Sequence, residues 1–234
     1  MHMRAASSAA DAGHFGESLC LGFGREVAKL LSVNPVQVRR AGDVLFEEGD
    51  RADSVYEVLS GTVRLYKLLP DGRRQVTGFL TAGQLLGLAP EGSCVFTADA
   101  VTEISVCCYR RDAFERLIDE VPGFARRLLA VTSHELRAAQ DQMVLLGRKT
   151  AAEKLASFLL LMGVRHRGGR DEIDVPMTRG DIADYLGLTV ETISRTMTRL
   201  RQDGLIALPT PLRILVLDRE GLESLAAGDS GLLF

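Results

Sequence analysis

Short apolar runs separated by glycine dominate the stretch from Arg40 to Cys108. The runs contain residues that favour strands, and a glycine interrupts them roughly every ten residues. These glycines are Gly42, Gly49, Gly61, Gly72, Gly83 and Gly92. Regular interruption of this kind predicts a small antiparallel barrel or roll.

The segment LSGTVRLYKLLPDGRRQVTGFL, residues 59–80, carries the clearest hairpin pattern. Val63 and Leu65 alternate with polar neighbours, as expected for a strand with one buried face. The residues from Pro70 to Gly72 are of the types that favour a turn. We therefore expect the return strand to begin near Gln75.

Beyond the roll, the pattern becomes helical, with a seam at alternating steps of three and four residues. This spacing predicts a helix of about 25 residues that pairs with a second copy of the chain, and Pro122 suits its start. The seam could instead pack on the chain's own roll, although Leu128, Val131 and Leu145 form a second stripe for that purpose. The predicted dimer interface comprises Leu129, Thr132, Leu136, Ala139, Met143 and Leu146.

Three helices and a strand pair are predicted after Gly147. The strongly apolar stretch 150–164 indicates a core helix. Thr178, with Asp181 three residues later, has the spacing of a capping box at the start of the next helix. The final segment LIALPTPLRILVLD, residues 205–218, predicts two strands around a proline-rich tip, which is the pattern of a β-wing.

The stretch LGLTVETISRTMTRLRQDG, residues 186–204, completes a predicted helix-turn-helix. Gly187 suits the turn, Thr189 suits the N-cap of the following helix, and Asp203-Gly204 suits its end. Successive residues of a helix are about 100° apart, which separates an apolar face from a polar one. The apolar face is predicted to hold Ile193, Met197 and Leu200.

The polar face of this helix carries side chains that can meet base edges. Arginine can donate two hydrogen bonds to guanine, glutamate can accept one from cytosine, and a small apolar group can touch a thymine methyl. An ion pair between Glu191 and Arg195 would explain the same face on any exposed helix. We nevertheless expect DNA contact, with base reading by Val190, Glu191, Ser194 and Arg195, and phosphate contacts by Arg179, Thr189, Thr192 and Arg199.

Charge supports this expectation only locally. The whole chain carries a net charge of −3, but residues 147–217 carry 11 Lys or Arg against 8 Asp or Glu.

No apolar stretch is long enough to span a membrane, and the small, polar N-terminus favours a disordered arm and a cytoplasmic protein. The four cysteines lack a C-x-x-C spacing, which favours buried free thiols but leaves a redox or metal-binding role open. They are Cys20, Cys94, Cys107 and Cys108.

The sequence gives little support for an enzyme. A barrel enzyme of the cupin type generally needs histidine ligands, and residues 40–110 contain no histidine. The chain also lacks a G-x-S-x-G nucleophile motif and a phosphate-binding glycine loop. We therefore expect a binding protein without a metal site.

Residues 20–226 resemble the CRP/FNR transcription regulators, most specifically in the string TRGDIADYLGLTVETISRTMTRL. The E-x-x-S-R arrangement of Glu191, Ser194 and Arg195 is similar to that of the FNR and FixK branch, and YKLLPDGRRQVTGFL resembles FixK proteins. Val190 and Ser194 differ from CRP itself, which favours a palindrome of the type TTGAT-N4-ATCAA over a CRP-type site. The resemblance implies an activator that binds as a homodimer in low-oxygen or nitrogen-type gene control.

The fold implied by the resemblance is α+β. It consists of an arm over residues 1–22, an antiparallel β-roll of the cyclic-nucleotide-binding type over 23–120, a dimerisation helix over 121–147 and a winged helix-turn-helix over 148–234. The resemblance also implies RNA polymerase contacts in two predicted loops, 69–75 and 166–174. The candidate residues are Leu69, Asp71, Arg73, His166, Arg167 and Arg170.

The same resemblance implies no cofactor. Gln84 and Phe96 stand where cyclic-nucleotide binders of the family have a ribose-binding glutamate and a phosphate-binding arginine. FNR itself holds an iron–sulfur cluster with clustered N-terminal cysteines, whereas Cys20 stands alone here, and the four scattered histidines do not suggest haem. We expect a FixK-like regulator that is active without a small molecule. Gating by an unidentified ligand or by cysteine redox chemistry remains the alternative.

Overall fold

The computed structural model describes residues 36–88, 92–163, 165–167 and 170–228, and the predicted arm over 1–22 lies outside them. The chain divides into two compact units. The first unit comprises Met1–Leu65 and Phe79–Ala130, and the second comprises Tyr66–Gly78 and Val131–Phe234. Within the described residues, no helix is long and apolar enough to cross a membrane.

The N-terminal half forms two four-stranded sheets, with orders β1-β8-β3-β6 and β2-β7-β4-β5. Strand pairs β1–β8, β3–β6, β3–β8 and β2–β7 are all antiparallel, which confirms the predicted roll. The strands are β1 Gln37–Arg39, β2 Val44–Phe46, β3 Ser54–Ser60, β4 Val63–Leu68, β5 Arg74–Leu80, β6 Leu85–Leu86, β7 Thr97–Ala100 and β8 Ile104–Arg110.

Aliphatic side chains from both sheets fill the interior of the roll. Val58 and Val63 are fully buried there, and Leu65 packs against the same cluster. Gly61, between β3 and β4, has φ +82°, and a Cβ atom at this position would lie 2.3 Å from the Glu103 carbonyl oxygen. Only glycine fits this turn, so one of the regularly spaced glycines is required by both conformation and close packing.

Two helices, α1 Arg111–Glu120 and α2 Phe124–Arg148, follow the roll. The length of α2, 25 residues, agrees with the prediction, but the helix begins two residues after Pro122. Gly123 has φ +84°, a left-handed conformation that cannot be part of a right-handed helix. The Pro122-Gly123 pair therefore forms a turn between α1 and α2.

The C-terminal part contains three predicted helices and one that the sequence analysis missed. The predicted helices are α3 Ala151–Leu161, α4 Arg179–Leu186 and α5 Val190–Gln202. The additional helix, α6 Arg219–Ala227, begins at an N-cap formed by Asp218. Their core includes Leu155, Phe158, Leu159, Ile182, Leu186, Ile193, Leu200 and Leu222, all fully buried.

A four-stranded sheet of order β11-β12-β10-β9 accompanies these helices. The wing strands β11 Ile206–Thr210 and β12 Arg213–Val216 pair antiparallel, as predicted. The prediction of a loop over residues 166–174 was wrong, because two strands, β9 Arg165–Arg167 and β10 Arg170–Asp174, lie there. Buried Ile173 of β10 lies opposite Ile214 of β12, and this apolar pair places the segment in the wing sheet.

Candidate DNA interface

Helix α5 has two distinct faces. Ile193, Met197 and Leu200 are buried as predicted, and Thr196 is buried beside them while its hydroxyl donates to the Thr192 carbonyl at 2.8 Å. The predicted ends are also present, since the Thr189 side chain accepts from the Thr192 amide at 3.2 Å. At the other end Asp203 is the C-cap, and the helix spans 13 residues.

The four predicted base-reading residues share the opposite, exposed face of α5. Val190, Glu191, Ser194 and Arg195 together line one shallow concavity on the surface. Val190 keeps 44% of its surface exposed although it is aliphatic, so the described residues leave a large part of it uncovered. An apolar group beside a carboxylate, a hydroxyl and a guanidinium provides the set of contacts that base edges in a major groove require.

Arg195 is available for an external ligand. Among the described residues, the ion pairs of α5 include Arg199 with Asp203 at 3.7 Å but none between Glu191 and Arg195. Hydrogen bonds from its own backbone amide and from Thr189 lower the pKa of the Glu191 carboxyl, and Arg195 adds a smaller electrostatic contribution. The internal ion pair that could have explained this face is therefore not formed.

Ser194 and Thr198 bond to their own helix. The Ser194 hydroxyl donates to the Val190 carbonyl at 2.9 Å, and the Thr198 hydroxyl donates to the Ser194 carbonyl at 2.9 Å. These bonds use the hydroxyl protons and leave oxygen lone pairs directed outward. Ser194 can therefore accept a hydrogen bond from a base without losing its bond to the helix.

Helix α4 and the turn after it set the direction of α5. The Thr178 hydroxyl accepts from the Asp181 amide at 3.1 Å, and the Asp181 carboxylate accepts from the Thr178 amide at 3.0 Å, which confirms the predicted capping box. Gly187 has φ +61° and is the left-handed C-cap, as predicted. Leu188 then donates its amide to the Ala183 carbonyl at 3.0 Å, so that the turn is closed before α5 begins.

The four candidate phosphate-binding residues lie in different surroundings. Thr189 is exposed, Thr192 is half-buried and their hydroxyl oxygens are 3.0 Å apart at the N-terminus of α5, where free backbone amides attract anions. Arg199 is exposed and pairs weakly with Asp203. Arg179 is half-buried, its Nη1 atom has no hydrogen-bond partner, and burial lowers the pKa of its guanidinium.

Comparison with known proteins identifies the family of the chain. Residues 153–225 match the Crp-like helix-turn-helix domain, and residues 36–121 match the cyclic nucleotide-binding domain. The nitrogen fixation regulation protein FixK of Bradyrhizobium diazoefficiens is 47% identical over 192 residues, which cover 80% of each chain. The chain belongs to the CRP/FNR family of transcription regulators.

Further relatives place this CRP/FNR regulator in the FixK-like branch. The transcriptional activatory protein AadR of Rhodopseudomonas palustris is 46% identical over 190 residues, covering 79% of this chain and 78% of AadR. The solved structure of FixK2 from Bradyrhizobium japonicum is 38% identical with a TM-score of 0.77, covering 82% of this chain and 96% of FixK2. The protein is thus a DNA-binding transcription regulator and not an enzyme.

The roll of this CRP/FNR regulator matches the cyclic nucleotide-binding domain, and residues at the candidate nucleotide positions make contacts within the chain. The Gln84 side chain is turned back to accept from the Thr81 amide at 2.8 Å. The Arg64 guanidinium donates to the buried Asp99 carboxylate, with Nε 3.0 Å from Oδ1. Half-buried Phe96 adds no charge. Neither Gln84 nor Phe96 therefore offers a positive charge to a nucleotide phosphate, and the Arg64 guanidinium already binds a carboxylate.

No cluster of three metal-binding side chains occurs in the part of the chain that the structure describes. Cys94 and Cys108 are buried and Cys107 is half-buried, in line with the expectation of free thiols, whereas Cys20 lies outside the described residues. Burial, followed by the charge of Asp50, raises the pKa of the Cys94 thiol. A thiol with a raised pKa is protonated at neutral pH and reacts slowly with oxidants.

The predicted seam on α2 is largely uncovered in the single chain. Leu129, Leu136 and Met143 expose 66%, 62% and 71% of their surface, and Thr132 and Ala139 are also exposed. Leu145 of the second stripe is buried, whereas Leu128 and Val131 are half-buried. Leu146, the last residue of the seam, is half-buried, and its side chain lies 3.6 Å from the Cβ position of Gly187.

The candidate polymerase contacts lie on two hairpins. At the tip between β4 and β5, Leu69, Asp71 and Arg73 are exposed, and Arg73 Nε donates to Asp71 at 2.7 Å. Hydrogen bonds from the backbone and side chain of Arg73 lower the pKa of Asp71. His166 and Arg167 lie on β9 and Arg170 begins β10, so their backbones belong to strands and not to the loop that the sequence suggested.

Proposed function

We propose that this FixK-like regulator binds as a homodimer to palindromes of the type TTGAT-N4-ATCAA and activates transcription there by contacting RNA polymerase. The observation that carries the proposal is the exposed face of α5, where Val190, Glu191, Ser194 and Arg195 line one concavity and no ion pair joins Glu191 to Arg195. The proposal includes gene control of the low-oxygen or nitrogen type in the cytoplasm, and it is supported by the similarity to a protein named a nitrogen fixation regulation protein.

Base reading follows from the chemistry of this face. Arg195 would donate two hydrogen bonds to the guanine of each half-site, and Glu191 would accept from a cytosine amino group of the complementary strand. Val190 would contact a thymine methyl, for which its exposed aliphatic surface is suited. Ser194 would accept from an exocyclic amino group, because its own proton is directed to the Val190 carbonyl.

Phosphate contacts would fix the position of α5 in the groove. The amides at the N-terminus of α5, together with Thr189 and Thr192, form a short anion-binding end of a helix. Arg199 is exposed about one turn beyond Arg195 and would meet the phosphate backbone. Half-buried Arg179, the first residue of α4, would add a further phosphate contact.

The dimer would be formed by α2. Its exposed apolar seam over residues 129–143 is unusual for a monomeric surface and has the spacing of a two-helix interface. A two-fold axis along this seam would present the two α5 helices to successive major grooves, about 34 Å apart. The hairpin tip with Leu69, Asp71 and Arg73, and the β9–β10 segment, would then face polymerase at the promoter.

Regulation without a small molecule is the favoured mode. In the roll, Gln84 is bonded to Thr81 and Arg64 to Asp99, so neither is available to a nucleotide. The alternative of cysteine gating has less support, because burial raises the pKa of Cys94 and protects its thiol. The abundance of the protein, or a signal upstream of it, would then control the target genes.

The experiment that tests this function compares two arginines of α5. At fixed salt, Arg195→Ala should lower the ratio of specific to nonspecific DNA affinity by roughly 10- to 100-fold per half-site, because one bidentate base contact is lost. Arg199→Ala should weaken binding to all DNA about equally and flatten the dependence on salt. An unchanged affinity ratio for Arg195→Ala would show that this residue does not read bases.

A further inference from the structure

The last carbonyl groups of α4 each receive a side-chain donor from a different element. Helix ends leave their final carbonyls without backbone partners, so these groups need other donors. Gln75 Nε2 of β5 donates to the Asp184 carbonyl at 2.8 Å, Gln142 Nε2 of α2 to the Tyr185 carbonyl at 3.0 Å, and Lys154 Nζ of α3 to the Leu186 carbonyl at 3.2 Å. The hairpin, the long helix and the core helix therefore meet at one end of α4.

The same hairpin also binds two carboxylates of α4. Arg74 Nη2 lies 2.6 Å from Asp181 Oδ1 and 2.7 Å from Asp184 Oδ2, while Arg74 Nε donates to Asp184 Oδ2 at 2.8 Å. Only 6% of the Asp181 side chain is exposed, and the same carboxylate completes the capping box with Thr178. The Arg74 guanidinium also lies 5.5 Å from the centre of the Tyr66 ring, which fixes it in place.

All of these contacts lie inside the second compact unit, which includes the hairpin segment Tyr66–Gly78. Strands β4 and β5 continue from that segment into the first unit, and α2 carries the predicted dimer seam. Helix α4 precedes α5 by only the turn at Gly187, so its orientation determines that of α5. The donors on β5 and α2 thus act on the DNA-reading helix through α4.

We propose that Arg74, Gln75 and Gln142 are positioning residues for DNA recognition, which fix the angle of the recognition helix by holding α4 to the β4–β5 hairpin and to the dimerisation helix. None of the three touches DNA. In a dimer, this angle sets the separation of the two α5 helices and hence the length of spacer that the protein accepts between half-sites. The inference rests on the homodimer proposed above.

The test is spacer selectivity. Operators carrying the proposed half-sites, with the spacer kept at N4 or changed by one base pair in either direction, are titrated with wild-type protein, Arg74→Met, Gln75→Leu and Gln142→Leu. We expect the variants to bind the N4 operator about tenfold more weakly and to lose most of their preference for it. The dependence on salt should remain that of the wild type, because the phosphate contacts are intact.

Matched controls separate positioning from simple damage. Arg110→Met removes an arginine of β8 whose side chain is 73% exposed and pairs with Asp112, and Gln140→Leu changes an exposed glutamine of α2. Both should keep the wild-type spacer profile. Arg74→Lys keeps the positive charge beside Asp181 and Asp184 and should recover part of the spacer preference lost in Arg74→Met.

Two results would overturn the inference. One is a wild-type spacer profile in Arg74→Met and Gln142→Leu. The other is an equal loss of affinity for every spacer and for a single half-site, accompanied by a lower melting temperature, which would mean that the residues only stabilise the fold. A wild-type protein that accepts all spacers equally would instead refute the symmetric dimer of the proposed function.

Discussion

Leu136 offers the sharpest test of the dimer seam. It occupies the middle of the seam and exposes 62% of its surface in the single chain. Complete burial of a leucine side chain contributes about 1.5 to 3 kcal/mol, so covering the exposed part of Leu136 would contribute about 1 to 2 kcal/mol. Each symmetric dimer contains two copies, which raises the contribution to about 2 to 4 kcal/mol per interface.

The substitution Leu136→Glu removes this contribution and places two carboxylates near the two-fold axis. We expect the dissociation constant of the dimer to rise at least 30-fold, and about 1000-fold at the upper end of the estimate. Sedimentation equilibrium over a dilution series measures this constant, and circular dichroism checks that the helices remain folded. Binding to the palindrome should fall with dimer content, whereas binding to one half-site should change little.

Ala138→Glu is the matched control for this prediction. Ala138 is also exposed on α2, but two residues along a helix correspond to a rotation of about 200°, which takes it away from the seam. The control adds the same charge to the same helix and should leave the dimer intact. A dissociation constant for Leu136→Glu within about threefold of the wild-type value would refute the seam, since less than 1 kcal/mol would then depend on Leu136.

Two further predictions concern alkaline stability and cofactors. Burial raises the pKa of Tyr185 to about 12, above its ordinary value of 10.0, so the stability it contributes is complete below pH 10 and is lost as the pH rises through 12. Between pH 10 and pH 12, the unfolding free energy of the wild type should fall by about 2 to 3 kcal/mol more than that of Tyr185→Phe. Urea titrations at each pH measure this difference. The same dependence of unfolding free energy on pH in both proteins would contradict the prediction. Anaerobically purified protein should show no visible absorption of the iron–sulfur or haem type. It should also bind the palindrome with the same affinity before and after treatment with a chelator. A coloured protein that chelation inactivates would refute the cofactor-free mode.

Local patterns were sufficient to predict the helix-turn-helix. Thr178 and Asp181 form the expected capping box, Gly187 adopts the left-handed conformation, and Ile193, Met197 and Leu200 are buried. In each of these features the interacting residues lie within one or two helical turns of each other. Their spacing in the sequence is therefore sufficient to predict the contact. The antiparallel roll was predicted for a similar reason, because its glycines mark the ends of short strands.

Contacts between distant segments could not be predicted in this way. The run from His166 to Asp174 is charged and contains two glycines, which suggested a loop, and only its pairing with Ile214 and its neighbours on β12 makes part of it a strand. Gln75 and Gln142 are 67 residues apart in the sequence and look like ordinary surface glutamines. Their partners are the last backbone carbonyls of α4. The sequence predicts that this helix end leaves carbonyls without backbone partners, but not which distant side chains reach them.

The opposite directions of Arg73 and Arg74 limit how the hairpin can change during evolution. Arg73 pairs with Asp71 at the exposed tip, whereas Arg74 is 26% exposed and holds Asp181 and Asp184. Substitutions at the tip can change its surface while Arg74 keeps its contacts with Asp181 and Asp184. Insertion or deletion of one residue in the turn would exchange the directions of the two arginines. We therefore expect lineages that keep Arg74 and Asp184 to vary in the composition of this turn and to conserve its length.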